Sequence, residues 1–134
     1  MAGLSCAALA FKDGAVFAAR RLPGGEMSGR WELPGGKVED GEDAEQALIR
    51  ELDEELGVQA HCYQKLAECR FVHRGIERTL AAYRVDFPAD GVVLREHSEW
   101  RWVDAQQAQE LDWTPSDYDI VRQITQKNGR FCPD

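Results

Sequence analysis

The sequence predicts an α/β (α+β) fold with one mixed β-sheet between helices. Three observations predict it. The elements run strands, helix, strands, helix, an order that layers helices on a sheet. Ala44, Ala47, Leu48, Leu52 and Leu56 recur at spacings of three and four, which marks one buried helix face. Apolar stretches of strand length, bounded by Gly, Asp and Pro, stand on both sides of that helix.

Taken in order, Leu4 to Phe11 reads as a buried strand. Lys12-Asp13-Gly14 is a turn, and Ala15 to Ala19 reads as the second strand. Arg20 to Arg30 is a Gly-rich loop, and Trp31 to Val38 is a short extended segment broken by Pro34, Gly35 and Gly36. The spacing predicts a helix over Glu42 to Leu56, which Gly57 stops because it adopts a left-handed conformation cheaply. Gln59 to Phe71 and Arg78 to Phe87 read as long strands joined by a turn near His73 to Gly75. Glu99 to Val103 alternates through Trp100 and Trp102 and reads as a short strand. Asp104 caps a short helix to Leu111. Thr114-Pro115-Ser116-Asp117 has the pattern of a helix start: cap, Pro at the first position, acid at the third. Ile120, Val121 and Ile124 give that last helix its apolar stripe, and Gly129 ends it.

The 134 residues fit one domain, 1–134, without internal repeat or linker. Charged residues make up 30% of the chain, and no apolar run approaches the roughly 20 residues a membrane helix needs. The first residues lack the basic and apolar regions of a secretory signal. Cys6, Cys62, Cys69 and Cys132 form no CxxC pair, so zinc has no spacing support. Reduced thiols in a cytoplasmic protein are the expectation. A net charge of −8 argues against a long nucleic-acid partner but admits an anionic small molecule if metal ions mediate the contact. Monomer and homodimer both stay open.

The chemistry concentrates between Glu39 and Glu55, where nine acids accompany one base, Arg50. On a helix Glu51 reaches Glu54 and Glu55 at three and four residues, so the three carboxylates can share a face. Like charges at that spacing repel. A solvated acidic face is the bland explanation. It does not explain why the acids stand opposite a clean apolar stripe. Hard divalent cations favour oxygen ligands, and Mg²⁺ takes carboxylates together with substrate phosphate. A metal cluster is therefore the better account.

From Gly36 the chain reads Gly36, five residues, Glu42, seven residues, then Arg50-Glu51-Leu52-Asp53-Glu54-Glu55-Leu56-Gly57-Val58. This resembles the Nudix box, GX5EX7REUXEEXGU with U a large aliphatic, over residues 36–58. Seven specified positions arise by chance on the order of once in 10⁸ starts at average residue usage. The resemblance implies a Nudix-type α/β/α sandwich and a Mg²⁺-dependent hydrolase (Mn²⁺ as substitute) that cleaves a diphosphate linkage with water. It also implies metal ligands at Glu51, Glu54 and Glu55 and a metal-facing carbonyl at Gly35. Arg50 should pair with one of the ligands and hold its rotamer. Glu42 either supports the metal from outside or sits as a favourable charge in the first helical turn. Glu54 is the first candidate for the general base and Glu96 the second. Glu96 resembles an acid that small MutT-type members place before this strand to bind metal or act as base; otherwise it is an ordinary loop acid.

Substrate is less sharply written. The chain is similar to small MutT-type members through Arg20-Arg21 and Trp31 to Glu39, which implies a nucleoside triphosphate cut to monophosphate and pyrophosphate. Oxidised dGTP (8-oxo-dGTP) and a cytidine nucleotide are the candidates. The same resemblance implies phosphate contacts for Arg21 and Lys37 and base reading for Asp117. The bland readings are a solvated strand end, a charge partner of Glu39 and a capping acid. Leu33 replaces an aromatic that some relatives carry, so Phe71, His73, Tyr83 and Trp113 become candidates for the base slot. A nucleoside diphosphate sugar or dinucleoside polyphosphate is the alternative substrate, and a non-catalytic nucleotide sensor is the alternative of another class. Degenerate boxes mark such sensors, and this box is intact.

Overall fold

A computed structural model describes residues 3–125 and 130–131. The strands are β1 (Gly3–Lys12), β2 (Ala15–Arg21), β3 (Trp31–Glu32), β4 (Gly35–Lys37), β5 (His61–His73), β6 (Ile76–Asp86) and β7 (His97–Asp104). The helices are α1 (Ala44–Leu56), α2 (Ala105–Glu110) and α3 (Pro115–Ile124). The expected helix stop at Gly129 and the thiol of Cys132 lie outside the described residues.

Seven strands form one mixed sheet in the order β3-β2-β1-β6-β5, with β4 added on β1 and β7 on β2. β1 and β6 run parallel, and the other pairs are antiparallel. Strand side chains alternate between two faces. Cys6, Ala8 and Ala10 of β1 and Phe17 and Ala19 of β2 join Ala47, Leu48, Leu52 and Leu56 of α1 in one core. Ala7, Leu9, Val16 and Ala18 join Ala105, Ala108, Ile120, Val121 and Ile124 of α2 and α3 in the other. That is the expected helix–sheet–helix sandwich. Leu48, Leu52 and Leu56 are fully buried. Each such side chain stabilises by roughly 1.5–3 kcal/mol, which fixes the helix face that carries the acids.

Several boundaries differ from the sequence reading, each for a local reason. α1 begins at Ala44, not Glu42, because Asp43 caps it: Gln46 N–H donates to Asp43 at 2.8 Å, and Asp43 N–H donates to the Gln46 side chain at 2.9 Å. Gly57 ends it with φ 67°, its N–H donating to Asp53 O. The β5–β6 turn is only Arg74-Gly75, both left-handed, so the strands extend to His73 and back from Ile76. β7 starts at His97, two residues before the expected strand. Asp104 caps α2 as expected. Thr114 occupies the cap position of α3 without a side-chain bond to the helix backbone; its hydroxyl donates to Asp117 instead, at 2.5 Å. No helix among the described residues is long and apolar enough to cross a membrane. Cys6, Cys62 and Cys69 are free thiols.

β1 and β2 pair only next to their turn, at Phe11↔Val16 and Lys12↔Ala15. Beyond it they part. β4 takes the freed edge of β1 through Ser5↔Lys37, Cys6↔Gly36 and Ala7↔Gly35. The parting leaves Ser5–Ala7 on one side and Arg21 on the other as walls of the same cavity.

Candidate active site

The cavity encloses about 490 Å³. Gly35, Gly36, Glu51, Glu55, Glu96 and His97 line one part, and Arg21, Leu33, Phe71, Ser116 and Asp117 line another. A smaller recess of about 270 Å³ shares Arg21, Glu32, Phe71 and Asp117 with it and reaches Met27 and His73. The carboxylates of the larger cavity are Glu26, Glu32, Glu51, Glu55, Glu96 and Asp117, against the single guanidinium of Arg21.

Glu51 and Glu55 point there because they flank the buried stripe of α1. A Cβ at Gly36 would lie 2.6 and 2.7 Å from the two Glu51 carboxylate oxygens, so only glycine admits that carboxylate against β4. A Cβ at Gly35 would collide with the Cys6 carbonyl of β1. Burial raises Glu51 above the usual carboxylate range. Glu55 is 4% exposed, and one of its oxygens has no hydrogen-bond partner among the described residues. Burial, then the neighbouring Glu32, Glu51 and Glu96, pushes its carboxyl up to about 10.

Arg50 is the organiser of the outer edge. Its guanidinium grips Glu42 through two nitrogens at 2.7 and 3.2 Å and reaches Glu51 at 3.0 Å, Glu54 at 3.3 Å and the Lys37 carbonyl at 3.1 Å. The sequence reading gave Arg50 one cluster partner; it has two, and its closest partner is Glu42. Glu42 itself is not a first-turn helix charge, because α1 starts after it. It accepts the Glu39 N–H at 2.9 Å, and Arg50 holds its carboxyl below the usual range.

Of the residues the sequence singled out, Arg21, Gly35, Glu51, Glu55, Glu96 and Asp117 line the cavity. Arg50, Glu54 and Lys37 do not. The Glu54 side chain is 56% exposed and turned toward Arg50. Lys37 is exposed, and its carbonyl serves Arg50. Phe71 is a wall residue, whereas Trp113 belongs to the core, its ring nitrogen donating to Ala108 O at 2.8 Å. Asp117 is buried; burial pushes its carboxyl up to about 7 against hydrogen bonds from the Thr114 hydroxyl and the Leu33 backbone.

Glu32 and His97 escaped the sequence reading. His97 Nε2 lies 2.8 Å from Glu32 Oε2 and 3.8 Å from Glu55 Oε1, and the other Glu32 oxygen accepts from Arg21 at 2.9 Å. Glu32, Glu55 and His97 bring one ligand atom each within 4.8 Å of one another, a group able to hold a metal ion. Their positions next to Trp31 and Glu96 were the available signal. Their convergence depends on β3 and β7 both pairing with β2, which no spacing records.

A helix–sheet–helix sandwich with a carboxylate-rich cavity at one helix is an arrangement able to hold a metal ion. The chain belongs to the NUDIX domain family, whose model matches residues 2–124. It is 42% identical over 106 residues to the "Putative 8-oxo-dGTP diphosphatase 2" of Mycobacterium tuberculosis (strain ATCC 25618 / H37Rv), covering 76% of this chain and 73% of that one. It is 32% identical over 115 residues to the CTP pyrophosphohydrolase of Escherichia coli (strain K12), covering 86% and 85%. The solution structure of the E. coli ORF135 protein superposes with a TM-score of 0.81 at 32% identity, covering 90% of this chain and 86% of that one.

Proposed function

We propose that this chain is a Mg²⁺-dependent hydrolase (Mn²⁺ substituting) that cuts nucleoside triphosphates to monophosphate and pyrophosphate. One observation carries the reading: a single cavity joins the Glu51–Glu55 carboxylates to Arg21, Phe71 and Asp117. Phosphates and base of one nucleotide can therefore be held at once. The names of the relatives above point to the same chemistry, with 8-oxo-dGTP and a cytidine nucleotide as first substrates to try.

The residues present fit a divalent cation. The donors are hard oxygens, the Glu55 carboxylate has an orphaned oxygen, and Gly36 leaves room for Glu51. Glu51 and Glu55 would hold the ion, with Glu54 and the Gly35 carbonyl as further ligands. When bound, the ion lowers the pKa of a water and neutralises phosphate charge. Arg21 faces the phosphates, its guanidinium oriented by Glu32. Arg50 fixes the rotamers of Glu51 and Glu54. Glu96 accepts the proton of the attacking water, because it lines the cavity while Glu54 is turned to the outer edge. Asp117 and Phe71 meet the base. Lys37 has no part in the cavity wall, so no phosphate contact is proposed for it.

The test is a product assay over a nucleotide panel, with and without metal. Metal-dependent release of pyrophosphate from a triphosphate is the expected outcome. Cleavage of nucleoside diphosphate sugars or dinucleoside polyphosphates alone would move the substrate class. Binding without turnover of any member would leave a sensor.

A further inference from the structure

The residues before β7 carry Glu96, and composition alone makes them a free loop. Two neighbours tie them down. On one side Val93 N–H donates to Leu56 O at 2.9 Å and Arg95 N–H donates to Glu55 O at 3.3 Å. The Arg95 guanidinium then donates to Asp53 O at 3.1 Å and Glu54 O at 3.5 Å. These carbonyls belong to the last turn of α1; Asp53 O also takes the Gly57 N–H, and those of Glu54, Glu55 and Leu56 lie beyond the last helical donors. That turn contains no basic residue of its own, so Arg95 also brings the positive charge that a helix C-terminus favours.

On the other side His97 is buried, and its ring is hydrogen-bonded to Glu32. A β-bulge puts it there. The pairing runs Arg20↔Glu99 and then Arg21↔His97, so Ser98 is the extra residue and stands exposed. Without the bulge His97 would fall opposite Leu22. Bulges of this kind re-aim side chains beside functional sites.

Glu96 therefore sits between an arginine anchored on the acid-bearing helix and a histidine anchored on the cavity wall. We infer that Arg95 and His97 are positioning residues that hold the Glu96 carboxylate at the hydrolytic end of the cavity. The inference rests on the reading of Glu96 as proton acceptor. A misplacement of about 1 Å can cost a reaction up to ~10²-fold, so a base on an untethered loop would be a poor one. Arg95 is the cleaner probe, since it is exposed and lines no part of the cavity, whereas His97 touches Glu32.

The experiment is a cycle between position 95 and position 96 at saturating Mg²⁺ with a nucleoside triphosphate. Hydrogen exchange of the peptide spanning residues 93–97 is measured beside it. Arg95→Met is expected to lower kcat about ten-fold, to leave KM within about two-fold and to speed exchange in that peptide. Arg95→Lys keeps a charge and a donor and should return much of the rate. In a Glu96→Gln background Arg95→Met should cost less than about two-fold, because the group it positions is gone. His97→Gln, whose amide can still donate to Glu32, should retain more rate than His97→Leu. Equal losses from Arg95→Met in both backgrounds, or faster exchange with an unchanged kcat, would overturn the inference while leaving Glu96 as the base. Full turnover by Glu96→Gln alone would instead remove the base assignment and the inference with it.

Discussion

Arg50 draws four carboxylates, Glu39, Glu42, Glu51 and Glu54, around one guanidinium at the outer edge of α1. Inside the cavity wall Glu32, Glu55 and His97 crowd together; Arg21 holds one oxygen of Glu32, whereas one oxygen of Glu55 has no partner among the described residues. The two groups share Glu51 as their boundary and differ in burial. Glu39 and Glu54 are 68% and 56% exposed at the side chain, whereas Glu55 and His97 are 5% and 2% exposed. The exposed pairs, to Glu39 and Glu54, each add little to stability. They fix rotamers instead. The buried group has the opposite problem: an ionised carboxylate there must acquire a cation or keep a proton. The fold thus balances the acids around Arg50 with protein charge and leaves Glu55 for a ligand to balance.

The largest expected effect follows from that difference. Turnover should vanish in excess chelator and return with Mg²⁺ or Mn²⁺, and the cation should raise Tm by binding only the folded state. Full activity in chelator, or a melt unmoved by millimolar Mg²⁺, would erase the distinction between the two groups.

Next comes the contrast within one helix. Glu55→Gln should raise the Mg²⁺ concentration for half activity by about 10–100-fold, because it removes a buried donor that no other group replaces. Glu54→Gln should raise it several-fold less, since that side chain is largely exposed and already serves Arg50. The reverse order, read from metal titrations of both variants, would place the cation at the outer edge.

A third effect sits at the far end of the cavity. Asp117→Ala should change the ranking of triphosphates while pyrophosphate remains the product. A uniform loss across bases, with a drop of about 1 kcal/mol in stability, would make Asp117 only a tie to Thr114. Smaller again is Glu42→Gln, which loosens Arg50. It should change stability by less than about 1 kcal/mol yet still raise the metal requirement, a split visible by pairing melts with titrations. A change in stability alone would leave Arg50 no role in orienting Glu51.

The legible part of this molecule was periodic or local. The spacing of Ala44, Leu48 and Leu52 gave α1, the order of strands and helices gave the sandwich, and the Arg50 to Glu55 run gave the acid face. The illegible part was convergence. Glu32 is two residues into an extended segment, and His97 is 65 positions away. Their meeting depends on β2 accepting both β3 and β7, and on the extra residue Ser98 that shifts the register. Exclusion was equally hidden: Glu54 and Glu55 are sequence neighbours, and only packing shows that one faces Arg50 and the other Glu32. The Arg95 tether was invisible because its acceptors are backbone carbonyls, which every residue carries.

A last expected effect sharpens the comparison at its weakest point, since Asp117 is a buried acid that neither Arg50 nor the Glu51–Glu55 group explains. Its carboxyl is pushed up to about 7, first by burial, from an ordinary value of 3.8. A folded-state value above the unfolded one means the folded chain binds more protons between about pH 4 and pH 7. Asp117 therefore contributes a stability that is greatest below about pH 4 and declines as pH rises toward 7. Asp117→Asn has no such proton to lose. Thermal melts of the two proteins in chelator, compared at each pH, should show the variant gaining on the parent across that window and holding level above it. Glu51 and Glu55 titrate in both proteins, so their contributions cancel in the difference. A difference flat from pH 4 to about pH 7.5 would mean that Asp117 is ionised throughout, with Thr114 and Leu33 satisfying it as a charge. It would then present only acceptors to a base, which suits the exocyclic amine of cytosine, whereas a carboxyl half protonated near pH 7 can also donate.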